Sequence, residues 1–485
     1  MRKYATPNKM RDGKLITVLK TFDSKQFKRL LSFAQSPYFN KNTEIVSFLT
    51  VLFKIYPDWE EKKLEEEYLY EKTFPHSPFD KKRLYYLRSY TLTLLEQFLV
   101  HEAVETEPFE ASYKLLKFYQ KHQLNDYFEQ SYEQMQQLLA KTPVNNDSTN
   151  YNRFLLAWEG VHYQLRSKER AGNLNLTETH HYLDIFYFLN KLSLHISGLS
   201  FAYIGHSSEN QGIDLSQILA IIPQTPHLAT HHSLRFLYNY VNLLLFPNHS
   251  EHQEKAWESL NEDHKQLPLE TIKGLYAMLR NFYISQINKG DVKASQRLFE
   301  IYDKQLQNGF LLNEKQEIPL ATFQNIATLG LKLRHFEWVK AFIEKYSKYL
   351  ENTDNNSVNV LHFVWAKYHF EIGKYTEVLK YLHQITEFAH HLLDIQARKL
   401  LMQTYYELED IESVLVQVNS FRVYLSRNQN LTEDRKRTYQ NFAAAMNKLA
   451  LTDFLQAAKK KQSYQFIQKM EDFAEKAWFL GKIVL

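Results

Sequence analysis

Residues 361–383, LHFVWAKYHFEIGKYTEVLKYLH, and residues 397–425, ARKLLMQTYYELEDIESVLVQVNSFRVYL, are two passes through one plan. In each, apolar residues recur every three or four positions, a short polar break follows, and an apolar residue opens a second stretch of the same period. That pattern describes two antiparallel amphipathic helices. A lone hairpin leaves its apolar face in water, so it needs further hairpins stacked against it. The expected fold is all-α: an α-α superhelix, or solenoid, of helical hairpins.

Aligning the breaks on the apolar residue that opens each second helix gives Val292, Phe336, Tyr375 and Ile411, at steps of 44, 39 and 36 residues. Gly290 and Gly373 stand two residues before their markers. Ala327 and Ala366 are small residues within first helices, beside the larger Ile326, Trp365 and Leu401, and Tyr405 adds an aromatic. On these residues, segment 275–425 resembles the tetratricopeptide-repeat family, whose period is ~34 residues. The resemblance implies stacked hairpins whose concave face holds a protein segment. His369 replaces the family's usual Tyr, Val339, Val378 and Val414 stand where a small residue is usual, and no repeat ends in Pro. The repeats are degenerate.

Composition agrees with a helical chain. Only 12 Gly and 12 Pro punctuate 485 residues, too few for a strand-rich fold, and 44% hydrophobic residues supply a large core. This length suits several domains or one extended array. Lys+Arg and Asp+Glu nearly balance, 59 against 55, so net charge demands no nucleic acid. With no Cys, disulfides, thiolate metal sites and cysteine nucleophiles are excluded. The N-terminus, MRKYATPNKMRDGK, lacks the apolar core of a secretory signal. The longest apolar runs, such as 239–247, fall short of the ~20 residues that span a bilayer. A cytoplasmic protein away from membranes is expected.

Three blocks are expected. Residues 1–108 read as an irregular N-terminal helical block, a cap or a head. Its helices are one after Phe22 capped by Asp23 or Ser24, one from Asn42 or Thr43 to before Pro57, a short one over 64–73, and a long one over 81–101 capped by Asp80. Residues 109–270 form an irregular hairpin region, with polar breaks at 142–150, 170–176, 206–212 and 247–253 and long helices over 151–167 and 179–203. Residues 271–485 carry the repeats, with further breaks at 351–357 and 428–433. A closing helix over 464–485 brings Phe473, Trp478, Phe479 and Ile483 to plug the open end.

The 20 His prompt a search for a metal site. His227 and His231 are four apart, on one face if the stretch is helical, but no Glu follows to make HExxH, and the nearest carboxylates are Glu251 and Glu254. The adjacent pairs His180-His181 and His390-His391 diverge on a helix, and His362 and His369 occupy packing positions. The runs Glu65–Glu67, Glu407/Glu409/Asp410, Arg435–Arg437 and Lys459–Lys461 read as solvated charge. No phosphate loop, GxSxG elbow or SxxK pattern sits in a fitting context. No catalytic, cofactor or metal residue is assigned, and no cofactor is expected.

The leading expectation is therefore a non-enzymatic scaffold or adaptor that binds a protein or peptide segment. The 32 Tyr exceed what a dry core needs, so some should stand half-wet along a groove as anchors. Asn325, Lys332, Lys367, Tyr368, Gln403 and Tyr406 are the candidates for that concave face. One alternative is a nucleic-acid-associated regulator using Lys25, Lys28, Arg29, Lys81, Lys82, Arg83 and Arg88. Another is a metal-dependent helical enzyme built on the His-rich stretch 176–265. Three further stretches, FDSKQFKRLLSFAQSPYFNKNTEIVSFL (22–49), YLDIFYFLNKLSLHISGL (182–199) and EKAWFLGKIVL (475–485), resemble a family of uncharacterised proteins common in Bacteroidota genomes. That resemblance implies a bacterial cytoplasmic protein and carries no functional residues.

Overall fold

A computed structural model describes residues 13–141, 147–166, 174, 176–203, 214–263, 267–313, 316–348, 355–385, 391–428, 431–452, 457–470, 473 and 475–483. Every regular element among the described residues is helical. The chain divides into two compact units, Met1–Phe188 and Leu189–Leu485. The expected block edges after 108 and 270 fall within the first turns of the helices Pro108–Lys121 and Leu269–Asn288, inside these units.

The first unit holds α1 (Lys14–Leu19), α2 (Ser24–Gln35), α3 (Thr43–Ile55), α4 (Glu66–Thr73), α5 (Lys81–Thr106), α6 (Pro108–Lys121), α7 (Asn125–Ala140), α8 (Asp147–Arg166) and the start of α9 (Leu176–Tyr203). Side chains set the helix starts. Asp23 closes a capping box, accepting from the Gln26 amide at 2.7 Å while its own amide donates to the Gln26 side chain at 3.0 Å. Asn42 accepts from the Glu44 amide, and Asp80 from those of Lys82 and Arg83. The four expected helices are joined by a fifth, α1, because Leu15, Ile16 and Leu19 are buried with Phe27, Phe48 and Phe98 in the same core. The expected break at 142–150 is also shorter than expected. Thr149 and Asn150 are buried, so α8 already runs from Asp147.

The second unit continues α9 and adds α10 (Leu215–Ile221), α11 (Pro226–Ala229), α12 (His232–Leu245), α13 (Ser250–Asp263), α14 (Leu269–Asn288) and α15 (Lys293–Gln307). It then runs through α16 (Leu320–Lys332), α17 (Phe336–Ser347), α18 (Asn355–Glu371), α19 (Tyr375–His383), α20 (His391–Glu407) and α21 (Ile411–Arg427). It closes with α22 (Glu433–Thr452), α23 (Ala457–Lys469) and α24 (Lys476–Lys482). The expected break at 206–212 lies outside the described residues, as does His390. From α14 to α21 consecutive helices pair as hairpins, and α16, α18, α20 and α22 each pack on the next of that set.

One turn closes all four hairpins. The residue two before each marker is left-handed: Gly290 (φ 94°), Arg334 (φ 60°), Gly373 (φ 73°) and Glu409 (φ 61°). Each turn carries the paired backbone bonds of a Schellman motif, such as the His335 amide to the Gly330 carbonyl and the Arg334 amide to the Leu331 carbonyl, both 2.9 Å. Phe336, Tyr375 and Ile411 are the first residues of their helices, and Val292 immediately precedes α15. The same turn joins α6 to α7 at Gln123 (φ 56°), where no glycine signals it. Close packing follows the small residues. Ala327 and Ala366 are fully buried, and a Cβ on Gly330 would sit 2.5 Å from Val339 Cγ2.

The closing helix expected over 464–485 is two helices. The chain breaks between α23 and α24, so that Phe473 and Phe479 enter one cluster with Phe442, at ring separations of 5.6 and 5.3 Å from Phe479. A straight helix presents residues six apart on different faces, which excludes both rings entering together.

Candidate functional site

Polar side chains collect where α16, α18 and α20 neighbour one another. Lys367 and Glu371 are one turn apart on α18; Lys399, Gln403 and Glu407 are spaced by single turns on α20. Lys367 Nζ donates to Thr328 Oγ1 of α16 at 2.9 Å and lies 5.7 Å from the Phe363 ring centre. Burial pushes the Lys367 ammonium down to about 8. Glu371 and Glu475 pull the other way, and Lys399 adds to the downward push. Burial likewise raises the Glu371 carboxyl, opposed by Lys367 and Arg334. Both groups are held toward their neutral forms, which is the condition of a charged pair short of water.

Lys399 is buried and ion-pairs with Glu475, just before α24, and its ammonium stands 4.9 Å from the Phe442 ring centre. Glu407 accepts from Lys482 Nζ at 2.7 Å and from Trp478 Nε1 at 3.2 Å. The polar face of α20 is therefore covered by the chain's own residues 475–482.

This geometry sorts the six residues expected to line an open groove. Asn325 and Lys332 are exposed on α16, and Lys367 is half-buried. Tyr368, Gln403 and Tyr406 are buried, which corrects the expectation that they stand half-wet. Tyr368 turns toward α17: burial raises its hydroxyl pKa, and the charges that reach it are Glu337, Lys340 and Glu344. Gln403 lies between Lys399 and Glu407, both bonded to the closing segment, and Tyr406 meets Trp478 edge-on at 5.8 Å. Glu475 reaches Lys399 across 76 residues, so no local pattern announced it. The i, i+4 spacing of Lys367 and Glu371 is readable in the sequence, but beside a turn it does not differ from that of a solvated pair.

No family model, curated protein or solved structure matches this chain.

The two alternative sites read differently in three dimensions. Of the seven N-terminal cations, Arg29 pairs with Glu102, Arg83 with Glu44, and both Lys81 and Arg88 with Glu66. Lys25, Lys28 and Lys82 are exposed. Mixed charge replaces the continuous positive stripe a phosphate backbone needs. The stretch His227–His231 is not one helix, which corrects the expectation of a shared face. Thr230 ends α11, and His231 caps α12, its Nδ1 accepting from the Leu234 amide at 3.4 Å. Among the described residues no group of three or more His, Asp or Glu is arranged to hold a metal, and no helix is long and apolar enough to cross a membrane. His362 and His369 pack as expected: His369 stacks on Tyr381 at 5.4 Å, and burial lowers the pKa of both.

Proposed function

We propose that this chain is a non-enzymatic binding protein, a tetratricopeptide-like α-solenoid that holds a segment of a partner protein against the first-helix side of α16 and α18. The observation that carries the reading is the desolvated Lys367. A buried ammonium held near 8 opposes folding, and groups shifted by burial beside a specific charge partner concentrate at functional sites. Lys367 bonds Thr328 of the neighbouring helix, and Asn325 and Lys332, three residues before and four after Thr328, share its helix face and are exposed, so a desolvated charge and a polar rim share one side of the α16–α18 pair. Stacked hairpins use such a side for extended ligands, by analogy of fold.

Affinity capture tests this reading. Wild-type chain and the double variant Asn325→Arg/Lys332→Glu are used as baits in lysate of the cells that make the protein, with nuclease, at low and high salt. A discrete protein retained by wild type and lost from the variant is expected. Equal retention by both, or recovery of nucleic acid that salt displaces, contradicts the reading.

A further inference from the structure

The first unit has a surface feature of its own, lined by no residue of α16 or α18. Where the end of α2, the turn after it, the last third of α5 and the start of α6 meet, the surface opens into a cleft of about 780 Å³, within the range of ligand-binding clefts. One wall is aromatic. Phe33 and Phe39 stack at 4.0 Å, the Tyr38 ring meets Phe39 edge-on at 5.0 Å, and His101 stands 5.5 and 5.6 Å from Phe39 and Phe33. The facing wall is α5, with Val100 and Val104. Tyr38 is 88% exposed and Val100 67%, so large apolar groups face water at its mouth. Clustered exposure of this kind marks an interaction site rather than a scattered surface residue.

Charge decides what fits. Glu105 is the one charged residue lining the cleft. From Ser89 to Tyr113 the chain has five Glu (96, 102, 105, 107 and 110) and no Lys or Arg. Lys14 and Arg29 pair with Glu96 and Glu102, and of the remaining carboxylates of this stretch, Glu105, Glu107 and Glu110, the first lines the cleft. We propose that this cleft binds a basic segment of a partner protein, inserting one apolar or aromatic side chain between Phe39 and Val100 and setting flanking Lys or Arg against Glu105. The ring faces favour the same cations. A phosphate backbone or an anionic lipid surface finds Glu105 in the cleft lining and no Lys or Arg there to hold it.

The test pans a random twelve-residue peptide library against the full chain, then measures fluorescein-labelled winners by anisotropy. Expected winners carry Phe, Leu or Met beside Lys or Arg. Val100→Glu weakens them at least about tenfold, and Glu105→Lys weakens them by an amount that high salt removes. Both positions are exposed, so both variants fold, which circular dichroism checks. No enrichment, acidic winners, or affinities unchanged by both variants overturn the proposal. A concentration-dependent dimer abolished by Val100→Glu also overturns it, in favour of a second copy of this chain. The cleft is distinct from the α16–α18 surface, so the Asn325→Arg/Lys332→Glu variant leaves peptide affinity unchanged and the two readings fail separately.

Discussion

Lys367 opposes folding at neutral pH. Its pKa falls from the ordinary 10.5 to about 8 on folding. Between those values the unfolded chain keeps a proton the folded chain has lost, so stability rises with pH from about 8 to 10.5 and the full penalty applies below 8. At roughly 1.4 kcal/mol per pH unit, the penalty near neutrality is on the order of 3 kcal/mol. Lys367→Met removes it together with one hydrogen bond to Thr328, and is expected to stabilise the protein by about 1–3 kcal/mol at pH 7. The gain fades as pH approaches 10.5. Urea unfolding of both proteins at pH 7 and 10 checks this, and a destabilised variant at pH 7 contradicts it. The sign runs the same way for His362 and His369 in a lower window. Burial depresses both, so their contribution is intact above the ordinary 6.5 and is lost as pH falls below it. Gly330 needs no positive φ; its role is closeness. Gly330→Ala drives a methyl into Val339 and is expected to lower stability by about 1–3 kcal/mol.

The hairpin turn is the element that repeats, and its chemistry is only half written in the residues. Gly290 and Gly373 advertise the left-handed position, whereas Arg334, Glu409 and Gln123 hold it with a side chain, at a conformational penalty of roughly 1–2 kcal/mol. The α6–α7 hairpin was therefore not legible as a repeat. At Gly373 an added Cβ meets nothing within 4 Å, so Gly373→Ala tests backbone strain alone and is expected to cost about 1 kcal/mol. Glu409→Gly relieves the strain but loosens the unfolded chain, for a net gain of up to about 0.5 kcal/mol. Thermal unfolding of the two variants measures both, and shifts of the same sign contradict a shared turn. Helix starts were plainer: Asp23, Asn42 and Asp80 cap helices because short polar side chains reach the free amides one turn ahead. Exposure on the first-helix side was legible only where no distant segment intervenes. Asn325 and Lys332 stay exposed, while Gln403 and Tyr406 vanish beneath a segment some seventy residues downstream.

At the scale of the whole molecule, an all-helical fold was readable from the chain's period and its scarcity of Gly and Pro, and every regular element among the described residues is helical. The split end, α23 and α24, was not, since the break is set by where Phe473 and Phe479 pack rather than by a proline or a glycine-rich turn. Truncation after Lys469 removes Glu475 and the Lys482 partner of Glu407 and uncovers Phe442. It is expected to destabilise the second unit by about 3–5 kcal/mol, as a cored-out aromatic and a widowed buried charge do. Hydrogen exchange localises the loss: protection is expected to fall in α20 and α22 and to persist in α2, α3 and α5. The α16–α18 side is the proposed seat for a partner segment. A photo-crosslinking residue placed at Lys332, with a control at Lys345, an exposed residue of α17, tests it most directly in cells that make the protein. One discrete adduct from position 332 and none from 345, weakened by Asn325→Arg, is the expected result; no adduct, or the same adducts from both positions, contradicts it.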